Sequence, residues 1–128
     1  MEQKTAILRV AEKDTHMILE FSGHLQYGLI EELKKQLQTT PFTEGRNFIL
    51  DMSNVQNIDS TGFGMIVNFA KKVSQKNKKI AIIIVDKFVR RLFSISQCDK
   101  IFPIVDSEAA ALGIIKQPIE TELLITDY

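Results

Sequence analysis

The sequence predicts one α/β domain with a mostly parallel sheet, and three observations carry that reading. Two short, almost wholly apolar runs, "NFILDM" and "KIAIIIVD", suit parallel strands buried on both faces. Between them lies a stretch with apolar residues at helical spacing, which completes a strand–helix–strand unit whose crossover is almost always right-handed. The chain has 128 residues, 45% of them apolar, which is the size of one domain able to bury a core without cross-links. No internal repeat, low-complexity segment or linker divides it.

The elements follow in order along the chain. "AILRVAEKDTHMILEFSG" reads as two strands, Ala6–Val10 and His16–Ser22, joined as a hairpin by the turn-prone Glu12-Lys13-Asp14-Thr15. In "YGLIEELKKQL", Leu29, Ile30, Leu33 and Leu37 fall at helical spacing with Glu31, Glu32, Lys34 and Lys35 on the other side, and Thr39-Thr40-Pro41 ends that helix. After "NFILDM", a helix starting near Ser60 places Phe63, Ile66, Val67, Ala70 and Val73 on one stripe, and "KVSQKNKK" carries it into solvent. The run "KIAIIIVD" is the next strand. A helix over "DKFVRRLFSIS", a short strand in "KIFPIV" and a last helix from about Ser107 to Ile115 complete the series. That last helix should stop before Pro118, which puts the domain at residues 1–117 and leaves 118–128 as a C-terminal tail with no clear period.

Composition removes several classes of function. Lysine plus arginine and aspartate plus glutamate stand at 16 each, so no overall basic field exists to hold nucleic acid or an anionic membrane. Any partner must recognise a local surface. The N-terminus is too polar for a signal peptide, and no run reaches the roughly 20 apolar residues of a membrane span, so a soluble cytoplasmic protein is expected. The single cysteine, Cys98, permits no intrachain disulfide and no thiol pair, and with no base beside it reads as a small core residue. His16 and His24 have no partner at metal-ligand spacing, so no metal is expected. Neither G-x-G-x-x-G nor G-x-x-x-x-G-K-[ST] occurs, so neither a nucleotide site nor another cofactor is expected.

One junction stands out. In "LDMSNVQNIDSTGFGMIVNFA" an apolar run gives way to Asp59-Ser60-Thr61-Gly62 before a helix. Any one of Asp, Ser or Thr suffices to accept a hydrogen bond from the first helical turn. Three occur together here, followed by Gly62 and Gly64, each of which costs roughly 1 kcal/mol in helix propensity relative to alanine. The surplus points to a surface kept small and open. A serine between the C-terminal end of a strand and the N-terminus of a helix lies on the edge where α/β domains place their sites. Phosphate there would carry a charge near −2, which the helix dipole and free N–H groups tolerate.

The stretch "FILDMSNVQNIDSTGFGMIV" resembles the signature of STAS domains, particularly of bacterial anti-sigma-factor antagonists: a strand ending D-[LMV]-S, a short apolar link, then D-S-[STA]-G-[LF]-G. "FVRRLFSIS" and "KIFPIVDSEAAAL" extend the resemblance, which covers about residues 5 to 115. It implies a mixed, mostly parallel sheet with helices packed mainly on one face. It also implies partner switching. The unmodified protein binds an anti-sigma factor that is a serine kinase of the histidine-kinase-like ATPase class, phosphorylation of the signature serine releases it, and a serine phosphatase restores it. Carried over, Ser60 is the phosphoacceptor and Asp59 caps the helix and sets the acceptor's position. Thr61, Gly62 and Gly64 form a small docking surface, joined by Met65 and Phe69, which helical geometry places off the core stripe; partial burial of that pair against a neighbouring helix is the equal alternative. The family's G-x-[LI]-D turn corresponds to "GHLQ", so His24 and Gln26 are further candidate contacts, with Gln26 lacking the usual aspartate's charge. No direct contact with nucleic acid and no membrane insertion is implied. Two alternatives stay open: a STAS subunit of a transport system or stress-sensing assembly without a phosphoswitch, and an enzyme or small-ligand binder at the same strand ends. For the latter, Ser60 has no sequence-identifiable base and its pattern is not G-x-S-x-G.

Overall fold

Five strands lie side by side in the order in which the chain makes them. The computed structural model describes residues 3–41 and 46–116. Along these run β1 (Ala6–Glu12), β2 (His16–Leu25), α1 (Glu31–Thr39), β3 (Asn47–Ile58), α2 (Ser60–Gln75), β4 (Ile80–Ile83), α3 (Lys87–Ile95), a 3-10 turn (Cys98–Lys100), β5 (Ile104–Val105) and α4 (Glu108–Ile115). β1 and β2 form the expected antiparallel hairpin, closing with Glu12 opposite Met17. β2, β3, β4 and β5 run parallel to their neighbours, so the sheet is mixed and mostly parallel. The tail after Pro118 lies outside the described residues.

Alternation along the strands builds two unequal cores, because successive side chains point to opposite faces. Phe48, Leu50 and Met52 of β3, with Ile80 and Ile82 of β4, face the side carrying α1, α2 and α3, where they join Leu33, Leu37, Ile66, Val73, Val89 and Phe93. Ile49, Ala81 and Ile83 face the other side and meet Ala111 and Ile115 of α4. Thus three of the four described helices share one face, and the central strands are buried on both, which is why they read as unbroken apolar runs. Cys98 is buried in the larger core.

Element lengths differ from the sequence expectation in two places. β3 continues six residues past the apolar run, through "SNVQNI", because Val55 and Ile58 still bury while the polar residues between them face water. The register of β2 on β3 shifts between Glu20 and Ser22 and again between Gly23 and His24, which breaks the two-residue alternation that marks a strand in sequence. β4 ends at Ile83 rather than Val85, and Val85 is exposed. Local chemistry stops and starts the helices: Asp59, Asp86 and Ser107 accept from the N–H groups of Gly62, Val89 and Ala110 and so cap α2, α3 and α4.

Ile82 is fully buried at the centre of the larger core. Ile82→Ala should therefore destabilise the domain by roughly 2–5 kcal/mol, the range for deleting a buried aliphatic side chain, read as a lower denaturant midpoint with an unchanged slope.

Candidate functional site

The C-terminal ends of β2 and β3 lie next to each other, and each is followed at once by a polar turn. From β2 comes the Gln26-Tyr27-Gly28 loop into α1, and from β3 comes Asp59, the cap of α2. Two contacts join the two turns, and a third caps α2 from the same side chain. The Asp59 N–H donates to the Leu25 carbonyl at 3.2 Å. The Tyr27 N–H donates to Asp59 Oδ2 at 2.9 Å. Asp59 Oδ1 accepts from the Gly62 N–H, also at 2.9 Å. One carboxylate therefore holds a loop with one oxygen and a helix with the other. The Tyr27 N–H, and then that of Gly62, hold the Asp59 carboxyl below the usual aspartate range, since both bonds favour the ionised form.

Gly62 completes the junction by having no side chain. A Cβ built there would lie 2.0 Å from the Leu25 carbonyl oxygen. The first turn of α2 thus rests directly on the backbone at the end of β2. This corrects the expectation that Gly62 forms part of an open docking surface: it is buried, and its smallness serves backbone approach. Beside Gly64, a Cβ would meet nothing within 4 Å.

Ser60 is exposed as the first residue of α2, and its neighbour Asp59 supplies the capping oxygen. It sits on the rim of a cleft of about 280 Å³ walled by Ile58 and Phe63 on one side and by Phe88, Leu92 and Ile95 of α3 on the other. Phe63 also stacks edge-on against Phe93, with ring centroids 4.9 Å apart, fixing α2 to α3. Phe88 and Ile95 are 60% and 71% exposed, although the buried face of α3 is already supplied by Val89 and Phe93. α3 therefore carries a second apolar stripe, facing out beside the serine. Its signal was present in "FVRRLFSIS", where positions 88, 92 and 95 repeat at helical spacing out of phase with 89 and 93. Tyr27, 81% exposed on the tethered loop, carried no periodic signal and was missed.

The other expected residues divide between this site and the core. Thr61 and Gln26 are half-buried at the junction. His24 lies to one side, with Asn57 Nδ2 at 3.5 Å from its Nδ1, along a broad depression of about 1140 Å³ that Ser22, Ser53 and Asp86 also line. Met65 and Phe69 do not lie off the core stripe. They are only 7% and 3% exposed, and Phe69 meets Phe48 edge-on. α2 packs on the sheet, meets α3 through Phe63 and Phe93, and faces α1 across a groove, so its buried arc is wider than one stripe. What remains accessible of Met65 and Phe69 lines a groove of about 170 Å³ with Leu37 and Gln38 of α1, on the flank of α2 away from Ser60. Among the described residues no group of three His, Cys, Asp or Glu side chains is placed to hold a metal, and no helix is long and apolar enough to cross a membrane.

A sheet ordered as the chain runs, three helices on one face, and a D-S-T-G helix start joined to the β2 turn together define a class. The STAS domain profile matches residues 8–111, and the chain belongs to the STAS domain family. It is similar to the anti-sigma F factor antagonist of Paenibacillus polymyxa, 31% identical over 97 residues that cover 75% of this chain and 83% of that one. Among solved structures, it superposes on an anti-sigma factor antagonist from Mycobacterium paratuberculosis with a TM-score of 0.79 at 17% identity, covering 88% and 96% of the two chains. It also superposes on the Bacillus cell fate determinant SpoIIAA in its phosphorylated form, with a TM-score of 0.63 at 13% identity, covering 95% and 100%. At such identities these two structures attest the fold.

The two glycines of α2 should respond oppositely to alanine. Gly64→Ala, with space for the methyl group, should stabilise by up to about 1 kcal/mol through helix propensity. Gly62→Ala should destabilise, because the Leu25 carbonyl has to move. Equal shifts of the pair in urea titrations would contradict this account of Gly62.

Acid should act through Asp59. A carboxyl whose value is depressed by folding contributes stability in full above its unfolded value of about 3.9, and that contribution is lost as pH falls through the lower folded value. His16, lowered chiefly by burial, acts with the same sign, its contribution being lost as pH falls below the unfolded value of about 6.5. Asp59→Asn leaves that histidine in place, so the gap in melting temperature between wild type and Asp59→Asn should be constant near neutrality and close below about pH 4.

Proposed function

We propose that this chain is an anti-sigma-factor antagonist that works by partner switching, without catalytic activity of its own. The observation that carries the reading is the position of Ser60: an exposed hydroxyl on the first residue of α2, at the C-terminal edge of the sheet, on the rim of an apolar cleft. In the unmodified state the partner, an anti-sigma factor that is also a serine kinase of the histidine-kinase-like ATPase class, packs over Ser60, Thr61 and Gly64 and against Phe88 and Ile95. Gln26 and Tyr27, on the loop tied to Asp59, and His24 are further candidate contacts for that partner. Met65 and Phe69 belong to the core and offer at most their edges. The curated relative's description as an anti-sigma F factor antagonist, and the existence of a phosphorylated form of a protein of this fold, support the reading.

The switching step is phosphoryl transfer. The Ser60 hydroxyl oxygen attacks the γ-phosphorus of ATP, the bond from that phosphorus to the β–γ bridging oxygen breaks, and ADP leaves. The hydroxyl proton passes to a base on the kinase. The product places a dianion on the rim of the cleft, where an apolar partner surface would have to desolvate it. A serine phosphatase hydrolyses the ester and restores the hydroxyl. The components of such a circuit place it in the cytoplasm.

Incubation with the cognate kinase and ATP should add one phosphate, at Ser60, and Ser60→Ala should abolish it. Modification of another residue, or none, would sink the phosphoswitch. Wild-type and Ser60→Asp baits separate the readings further. A histidine-kinase-like ATPase retained only by wild type supports partner switching, whereas a permease or transport ATPase retained by both supports a transport subunit, the reading that the uncharged Gln26 favours.

A further inference from the structure

The Asp59 carboxylate is shared between two elements that lie 32 positions apart in sequence at their point of contact. Its helix-side bond, to the Gly62 N–H, is an ordinary cap. Its loop-side bond is not needed for capping; it holds the exposed middle of a loop whose ends, Leu25 and Ile30, are fully buried. Tyr27 projects its ring into solvent at 81% exposure, and Gly28 follows in a left-handed conformation (φ +86°) with open space around it. Inside the loop, the bonds among the described residues are short-range, from the Gln26 N–H to the His24 carbonyl and from the Leu29 N–H to the Gln26 carbonyl, both at 3.0 Å. The position of an exposed aromatic side chain, the type of residue that most often anchors an interface, is thus set by the residue that immediately precedes the acceptor serine.

We propose that Asp59 is a positioning residue that transmits the modification state of Ser60 to the Tyr27 loop, holding Tyr27 in place only while Ser60 is unmodified. The inference rests on the reading of Ser60 as the phosphoacceptor. A phosphate on Ser60 brings a second anion to the helix end that Asp59 already occupies, and the two repel at a separation of a few ångströms. They also compete for the same first-turn N–H groups. The carboxylate is planar and rigid, so displacing it from the helix swings both oxygens. On the helix side, phosphate oxygens replace the lost acceptor. On the loop side nothing does, and the Tyr27 N–H is left to water. A partner then meets an aromatic ring that has lost its fixed position, and ordering it again opposes binding.

The test needs neither kinase nor partner, so its outcome is separable from whether any kinase modifies Ser60. The full chain is produced with phosphoserine installed at position 60 during translation, and backbone amide hydrogen exchange is followed by NMR. The Tyr27 amide should exchange about tenfold faster or more in the phosphorylated chain than in the unmodified one, while amides in the middle of α2 are unchanged. Asp59→Asn supplies the decisive comparison. Asparagine remains a good cap but has one acceptor oxygen in place of two, so it can serve Gly62 and not Tyr27 as well. With Ser60 unmodified, Asp59→Asn should speed Tyr27 exchange to a similar degree, and phosphate added to that variant should produce little further change. A purely structural role for Asp59 would leave the effect of phosphate on Tyr27 intact in the variant. Equal Tyr27 exchange in phosphorylated and unmodified wild type, or a phosphate effect of the same size in Asp59→Asn, overturns the proposal.

Discussion

The close approach of two backbones, with the Leu25 carbonyl occupying the space that any side chain at position 62 would fill, is the constraint on which the site depends. Because Gly62 lets α2 rest on the end of β2, Asp59 comes within reach of both the helix N–H groups and the loop that leaves β2. Without that approach the carboxylate would be a simple cap, and Ser60 would stand on an isolated helix end. With it, Ser60, its neighbouring carboxylate and the Tyr27 loop form one connected unit. Glycine's poor helix propensity at this position is the cost of that connection, and the capping bond at 2.9 Å offsets part of it.

The sheet makes the approach possible. β2 and β3 are parallel and adjacent, so their C-terminal ends emerge on the same edge, and the crossover through α1 returns the chain to begin β3 beside β2. The register shifts near Ser22 and His24 adjust how far the two ends extend, setting Leu25 opposite Ile58, one residue before Asp59. On the helical face the first turn of α2 is held by Gly62 against the Leu25 backbone and by Phe63 against Phe93 of α3.

Much of this fold was legible because its signals are local and strong. The runs around Leu50 and Ile82 are apolar on both faces, and the α2 start at Ser60 and the caps Asp59, Asp86 and Ser107 follow from side-chain chemistry within a few residues. What was not legible is tertiary. Nothing in "LQYG" says that the Tyr27 N–H will meet a carboxylate beyond the next strand, and nothing in "STGFG" distinguishes Gly62, pressed on Leu25, from Gly64, which faces open space. For Met65 and Phe69 the sequence left surface contact and burial open, and a single apolar stripe could not decide between them for a helix that faces α1 and α3 as well as the sheet; the structure shows burial. The last six residues of β3 escaped notice because register shifts and interleaved polar residues hide the two-residue period. The family signature identified the serine, but the reason its neighbours crowd there had to come from geometry.

The three polar residues and two glycines at this junction therefore have separate tasks. Asp59 ties two elements, Ser60 is left to solvent, Thr61 is half-buried behind it, and Gly62 permits contact while Gly64 leaves room. This division decides what a negative charge at position 60 can and cannot change. The core under α2 is made by Ile66, Phe69, Ala70 and Val73, none of which touches the exposed serine's rim, so burial energy is untouched by its modification. The helix end is electropositive, so the dipole term favours the added anion. What stands to lose is the arrangement held by Asp59, whose carboxylate accepts from the loop with one oxygen and from the helix with the other, both at 2.9 Å. Under the proposed switch, a charge at position 60 would alter the edge of the sheet and leave the fold that presents it unchanged.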